Sequence, residues 1–353
     1  MKDTMVIGME PNKIDRRLIV ECGSILRNGG VVAFPTETVY GLGANALDAN
    51  AIKKIFEAKG RPSDNPLIVH IAKKEDVIPL VKNIPEIGRI LMEKFWPGPL
   101  TLLFEKSDII PNEVTAGLST VGIRMPSHPI AGALIEAAQV PVAAPSANTS
   151  GRPSPTKGQH VIEDMMGRVD AIISGGECNV GLESTVLDIT GDIPMILRPG
   201  GVTKEMLEAV LGQVAVDAAI EDPSKSVEKP KSPGMKYTHY APKADVIVVE
   251  GPVEQMVMKI KVLEREYRAK GKRVGIICTE ETKDLYGEAM VKSMGSRQVP
   301  ETIAACIFKV LREFDETDVD IILSEAVEAV EIGQAIMNRL KKAAGYRIIH
   351  AEE

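Results

Sequence analysis

The sequence predicts an α/β protein in two parts: a strand-rich α+β domain, then an extended linker and a smaller domain with a parallel sheet. Three observations carry this prediction. Short β-rich runs, parted by turns rich in Pro and Gly, fill the first part of the chain. The stretch Ala219–Pro242 then holds Pro223, Pro230, Pro233 and Pro242 among interleaved charges, with little apolar periodicity. From Asp245 onward strands and helices alternate, the pattern of a parallel sheet with helical crossovers. A chain of 353 residues suits two such domains, at about 100–200 residues each.

Val31–Phe34, Leu67–Ile71, Leu100–Phe104, Val121–Arg124, Val142–Ala144, Ala171–Ile173, Thr185–Asp188 and Ile196–Arg198 read as strands. Ala51–Lys59 sets Ile52, Ile55 and Phe56 on one face and predicts a helix ended by Gly60. Ile84, Ile87, Leu91 and Phe95 make a second amphipathic helix. The breaker cluster Trp96-Pro97-Gly98-Pro99 stops it. In the linker, Ser232–Tyr240 crowds two tyrosines, a histidine and a lysine into nine residues. A passive tether is the ordinary reading of a linker, but this composition suits a segment that covers a ligand. The smaller domain reads as strand Asp245–Glu250, helix Val253–Lys270, strand Arg273–Cys278, helix Thr302–Glu313, strand Asp320–Leu323 and helix Gly333–Ala344. This succession is Rossmann-like, without a phosphate fingerprint. No internal repeat is evident.

Composition narrows the function classes. Hydrophobic residues make up 44% and charged residues 26%, so real cores are affordable, built from aliphatic residues because aromatics are only 4%. A net charge of −7 argues against a globally basic nucleic-acid binder, though not against a local basic groove. Cys22, Cys178, Cys278 and Cys306 show no Cys-x-x-Cys spacing, so neither a zinc site nor a disulfide framework is expected. The N-terminus lacks the apolar segment of a signal peptide, and no run of about 18 apolar residues predicts a membrane span. A cytoplasmic protein with free, mostly buried thiols is the expectation.

Six short motifs hold chemistry. Pro35-Thr36-Glu37-Thr38-Val39-Tyr40-Gly41-Leu42-Gly43 follows a strand and offers hydroxyls, a carboxylate and a phenol ahead of two glycines. A turn with capping threonines fits equally well. Gly41–Ala46 also matches the dinucleotide fingerprint, but its first glycine lies too far past the strand for the tight turn, and the next strand lacks the acidic ribose ligand. There is no P-loop sequence. Lys59-Gly60-Arg61 reads either as cations complementing a helix C-terminus or as a phosphate clamp. Arg124, inside Gly122-Ile123-Arg124-Met125-Pro126, must find an anion or reach solvent, and a substrate carboxylate is a natural partner. Pro145-Ser146-Ala147-Asn148 packs a hydroxyl and an amide after a strand. Glu183-Ser184-Thr185 and Arg198-Pro199-Gly200 lie at strand ends.

In this order the motifs resemble the YrdC-like family of threonylcarbamoyl-AMP synthases, in its long two-domain form. The resemblance implies a YrdC-like α+β domain with a basic concave cavity over residues 12–205, a linker over 206–243 and a Rossmann-like α/β domain over 244–350. It implies a nucleotidyltransferase acting on L-threonine, bicarbonate and ATP with Mg²⁺, serving tRNA modification through tRNA or other proteins downstream. Thr38, His70, Arg124, Ala144 and Ser184 would bind threonine. Lys59, Arg61, Asn65, Thr120, Ser146, Asn148, Ser154, Arg198 and Tyr237 would bind ATP, with Lys59 and Arg61 also catalytic and no metal held by the protein alone. A non-catalytic RNA-binding module is the rival reading, and a nicotinamide-dependent oxidoreductase a third.

Overall fold

The computed structural model describes residues 2–220, 240–287 and 289–352. The chain divides into two compact units, Met1–Ser150 with Ser154–Lys236, and Gly151–Pro153 with Tyr237–Glu353.

The first unit runs β1 (Met5–Gly8), α1 (Arg16–Arg27), β2 (Val32–Phe34), β3 (Gly41–Asn45), α2 (Ala49–Lys59), β4 (Ile68–His70), α3 (Glu86–Phe95), β5 (Leu100–Glu105), α4 (Asn112–Thr115) and β6 (Thr120–Arg124). It continues with α5 (Pro129–Ala138), β7 (Val142–Ala143), α6 (Gly158–Met165), β8 (Ala171–Ser174), β9 (Thr185–Asp188), β10 (Met195–Arg198), α7 (Lys204–Leu211) and β11 (Ala215–Val216). The strands join in one mixed sheet, in the order β1-β8-β2-β3-β7-β4-β6-β5-β9-β10-β11.

Both faces of this sheet are covered, which explains the unbroken apolar runs of its inner strands. In β2, Val32 and Phe34 point to a core shared with Ile19, Cys22 and Leu26 of α1 and Leu134 of α5. Ala33, one residue out of phase, points to the opposite core with Ile52 and Ile55 of α2. Asp15 caps α1 by accepting from the amides of Arg17 and Leu18 at 2.9 and 3.2 Å. Gly60 closes α2 at φ 62°, a left-handed conformation that suits glycine. The helix starts at Ala49, two residues before the expected Ala51, because Asp48 caps it.

The segment Gly41–Asn45 forms β3, an antiparallel partner of β2, rather than a turn onto a helix. Its glycines make room for packing. A Cβ on Gly43 would lie 2.7 Å from Val142 Cγ1 and 2.8 Å from Phe34 Cε1. The dinucleotide fingerprint therefore has no strand–turn–helix unit to sit on, and the oxidoreductase reading goes with it.

The second unit contains β12 (Asp245–Glu250), α8 (Val253–Ala269), β13 (Val274–Cys278), β14 (Met290–Ser293), α9 (Pro300–Asp315), β15 (Ile321–Glu325), α10 (Ile332–Ala343) and β16 (Ile348–His350). Its five strands are all parallel, in the order β14-β13-β15-β12-β16. No helix among the described residues is long and apolar enough to cross a membrane.

Candidate active site

Three adjacent strands, β7, β4 and β6, carry the centre of the site. The parallel register of β4 and β6 sets His70 beside Arg124, each the last residue of its strand. Ala144 follows β7, and its amide donates to the Ile68 carbonyl at 2.9 Å. The turn between β2 and β3 brings Thr36, Glu37 and Thr38 to Arg124.

Arg124 is only 3% exposed, and each of its guanidinium nitrogens is engaged. Nη2 lies 2.7 Å from Glu37 Oε2. Nη1 donates to Thr38 Oγ1 at 2.9 Å, and Nε to the Gly98 carbonyl at 3.3 Å. The Glu37 contact is close but not aligned as a hydrogen bond, so its attraction is chiefly Coulombic. Burial pushes the Glu37 carboxyl up, but the charge of Arg124 and contacts to it outweigh burial and hold it below the usual carboxylate range. The sequence required an anion for Arg124. The structure supplies one from within the protein.

Hydrogen-bond bookkeeping defines Thr38. Thr36 Oγ1 donates to the Val39 carbonyl at 2.6 Å, so it accepts from Thr38 Oγ1 across their 2.8 Å contact. Thr38 Oγ1 therefore gives its proton to Thr36, accepts from Arg124 and keeps one lone pair. His70 Nδ1 lies 3.1 Å from the Ile68 carbonyl, an acceptor, so the proton sits on Nδ1 and Nε2 is the bare nitrogen. Burial, with the Arg124 charge second, lowers its pKa to about 3. The ring is neutral at physiological pH.

Arg198, the last residue of β10, is 5% exposed. Its Nε donates to the Ser184 carbonyl at 3.0 Å and its Nη2 to Ser184 Oγ at 3.1 Å. Ser184 Oγ also meets Thr101 Oγ1 of β5 at 2.8 Å. Because β6, β5, β9 and β10 are consecutive in the sheet, this chain of contacts runs toward the end of β6 that holds Arg124.

Lys59 ends α2 and turns inward, 3% exposed. Its ammonium donates to the carbonyls of Ser146 and Asn148 at 2.5 and 2.6 Å. It thus clamps the Ser146–Asn148 loop, which also pairs with the motif strand: the Leu42 amide donates to Pro145 O and the Ala147 amide to Tyr40 O, both at 2.8 Å. Ser146 Oγ donates to Asn148 Oδ1 at 2.5 Å, and Ser154 Oγ to Glu183 Oε1 at 2.5 Å. Arg61 stands on the loop after α2, its amide donating to Phe56 O at 3.0 Å.

Asn65 and Thr120 lie at the other end of the β4–β6 pair from His70 and Arg124. Thr120 opens β6 four residues before Arg124, about 13 Å along a strand. Here buried polar atoms lack partners among the described residues: both amide atoms of Asn65, 0% exposed, and Oγ1 of Thr115, 1% exposed. Each such orphan costs about 1–3 kcal/mol, which points to a polar ligand at this end. Tyr237 lies outside the described residues.

Sequence reasoning gave no role to Glu37, Thr101, Glu183 or Thr115. Glu37 and Glu183 each lie inside a quoted motif, and Glu37 left the stronger signal, a carboxylate to set against an arginine that needed an anion. The Tyr40 phenol, offered by the motif, is spent on the backbone: it donates to Gly176 O at 2.7 Å and accepts from the Gly175 amide at 3.0 Å.

The family model Sua5_yciO_yrdC, described as "Telomere recombination", matches residues 24–200. A second, Sua5_C, described as "Threonylcarbamoyl-AMP synthase, C-terminal domain", matches 202–345. The chain belongs to the YrdC-like threonylcarbamoyl-AMP synthase family, in its two-domain form. Within this family it is 51% identical to a threonylcarbamoyl-AMP synthase of Pyrococcus abyssi, covering 98% of this chain and 99% of that one. It is 53% identical to the Bacillus subtilis protein of the same name, over 94% of each. The crystal structure of P. abyssi Sua5 complexed with L-threonine superposes with a TM-score of 0.93 at 50% identity, covering 98% of this chain and 99% of that chain. E. coli YciO, at 27% identity and a TM-score of 0.50, covers 57% of this chain and 96% of its own.

Proposed function

We propose that this protein joins L-threonine, bicarbonate or CO₂, and ATP into threonylcarbamoyl-AMP, releasing pyrophosphate. The observation that carries this reading is the cluster of Arg124, Thr38 and His70 at neighbouring strand ends: a fixed cation beside two acceptors. That set suits an α-amino acid. Arg124 takes the carboxylate, and the open lone pairs of Thr38 Oγ1 and His70 Nε2 take the ammonium and hydroxyl. Ser184 and the Ala144 backbone complete the threonine pocket. The orphaned Asn65 amide, with Thr120, the Ser146–Asn148 loop, Ser154, Arg61 and Arg198, receives the nucleotide along the β4–β6 pair.

In the reaction the free amine of threonine attacks the carbon of CO₂; the N–C bond forms as one C=O π pair moves onto oxygen, and an N–H proton passes to water, leaving a carbamate. A carbamate oxygen then attacks the α-phosphorus of ATP. The bond from that phosphorus to the β-phosphate bridging oxygen breaks, and pyrophosphate leaves with the electron pair. Arg61 and Arg198 neutralise phosphate charge, the main task in such transfers. Lys59 acts through the loop it clamps. Mg²⁺, if bound, would be held chiefly by the triphosphate oxygens and would add to the neutralisation of their charge.

An RNA-binding module is not favoured. Arg124 and Arg198 are buried and bonded inward, 3% and 5% exposed, and cannot present a surface to a phosphate backbone. In the same reading the product serves tRNA modification by way of separate proteins in the cytoplasm, and residues 12–205, 206–243 and 244–350 are the catalytic domain, covering linker and accessory domain. The test is mass spectrometry of products formed from ATP, threonine and ¹³C-bicarbonate. Labelled threonylcarbamoyl-AMP should form, with pyrophosphate release dependent on both co-substrates. Equal turnover with glycine or serine would sink the assignment.

A further inference from the structure

The second unit holds a cavity of about 690 Å³ at the C-terminal edge of its sheet, within the size range of small-molecule sites. It opens where β12 and β15 lie side by side. The chain leaves β12 through α8 to reach β13, beyond β15, and leaves β15 through α10 to reach β16, beyond β12. The two connections diverge in opposite directions, and the crevice between them is the place where parallel α/β sheets take ligands. We propose that this cavity binds a nucleoside monophosphate, separately from the substrates of the first unit.

The walls specify that class. Arg297 supplies a cation already held in place: Nη2 pairs with Glu325 at 2.7 Å and Nε donates to Thr279 Oγ1 at 3.1 Å. Glu325 is fully buried and is also bonded by Tyr286 at 2.5 Å, so the fork cannot swing away. The first turns of α8, α9 and α10 line the same cavity, and their dipoles favour an anionic group. Met256, Ile303 and Met337 form an apolar wall suited to a flat ring. Glu250, Glu328 and Glu331 also face the cavity. These carboxylates would repel a bare pyrophosphate and call instead for hydroxyl donors such as those of a ribose. Lys341, 2.9 Å from Glu250, fixes one of them. The backbone is strained at the same spot. Glu331 sits at φ 50°, ψ −124°, and Gly333 is so closed in that a Cβ would lie 2.0 Å from Glu328 O. Strain of this kind collects at ligand sites.

The experiment uses the full chain labelled with [¹³C-methyl]methionine. Met256 and Met337 report on the cavity, each assigned from its Met→Leu variant. Titration with AMP should shift both methyl resonances to saturation, while inorganic phosphate or adenosine alone should shift them far less. Val253→Trp fills the cavity mouth from a 39% exposed position and should abolish the shifts. Met294, buried in the same unit and outside the cavity lining, serves as its folding control. The proposal is overturned if millimolar AMP leaves Met256 and Met337 unmoved, or if the shifts survive Val253→Trp. It is overturned as to class if phosphate alone moves them as far as AMP.

Discussion

Replacing Glu37 by Gln and Arg124 by Met, singly and together, probes the ion pair at the centre of the site. The two side chains are 8% and 4% exposed, so surface screening does little to weaken their attraction. Arg124→Met leaves an ionised carboxylate buried without its counter-charge, which costs about 3–5 kcal/mol. Glu37→Gln is milder, because the guanidinium keeps Thr38 and Gly98 as acceptors. The loss is then one charge-assisted contact, about 1.5–3 kcal/mol. In the double variant neither charge is stranded, so its destabilisation should fall short of the sum by about 2 kcal/mol.

The single tryptophan makes the measurement local. Trp96 is 3% exposed and donates from its indole nitrogen to Leu100 O at 2.7 Å, so its fluorescence in urea follows the first unit. A whole-chain probe would mix the transitions of two units. Acid adds a check of sign. Glu37 has its folded pKa lowered below 4.5. Its contribution is therefore complete above the unfolded value and is lost as the pH falls through the folded value. Glu37→Gln should flatten the acid limb of stability below about pH 4.3. Strict additivity of the two substitutions, with unchanged acid limbs, would refute a coupled pair.

Other substitutions probe binding alongside stability. Arg124→Ala should raise the apparent threonine requirement roughly ten- to hundredfold in a pyrophosphate-release assay. Lys59→Ala frees the Ser146–Asn148 loop and should raise the ATP requirement while lowering the urea midpoint of Trp96, since buried carbonyls lose their donor. Thr115→Val removes a hydroxyl that has no partner among the described residues; stability should hold or rise by about 1 kcal/mol while the ATP requirement climbs. His70, with its pKa near 3, should show no titration between about pH 5 and 8 by ¹⁵N NMR. The unfolded chain takes up that proton first, so stability falls by about 1.4 kcal/mol per pH unit below pH 6.5, and His70→Phe should remove that slope.

What could be read in the chain follows from what is local. Strands such as Thr185–Asp188 and Asp245–Glu250 match their expected bounds, because apolar runs buried on both faces state themselves. Gly41–Asn45 hid its strand, since glycines have poor β propensity and the segment is held by neighbours on either side. α5 hid its helix because Pro129–Ala138 is apolar almost all round and shows no polar face. Four strands without strong flanking signals, β1, β11, β14 and β16, were missed too, each at an edge of its sheet. In the site, the ordered motifs were legible but partner choice was not. That Glu37, and not a substrate, answers Arg124 in the folded chain is a tertiary fact linking positions far apart in sequence. It bears on the proposed chemistry. A carboxylate that approaches Arg124 meets a guanidinium already neutralised, so it gains less there than an isolated arginine would offer. In the proposed pocket, discrimination for threonine would then rest more heavily on Thr38 and His70, the groups proposed to take the ammonium and hydroxyl. An amino acid lacking the hydroxyl would forfeit one of those two contacts while keeping the other.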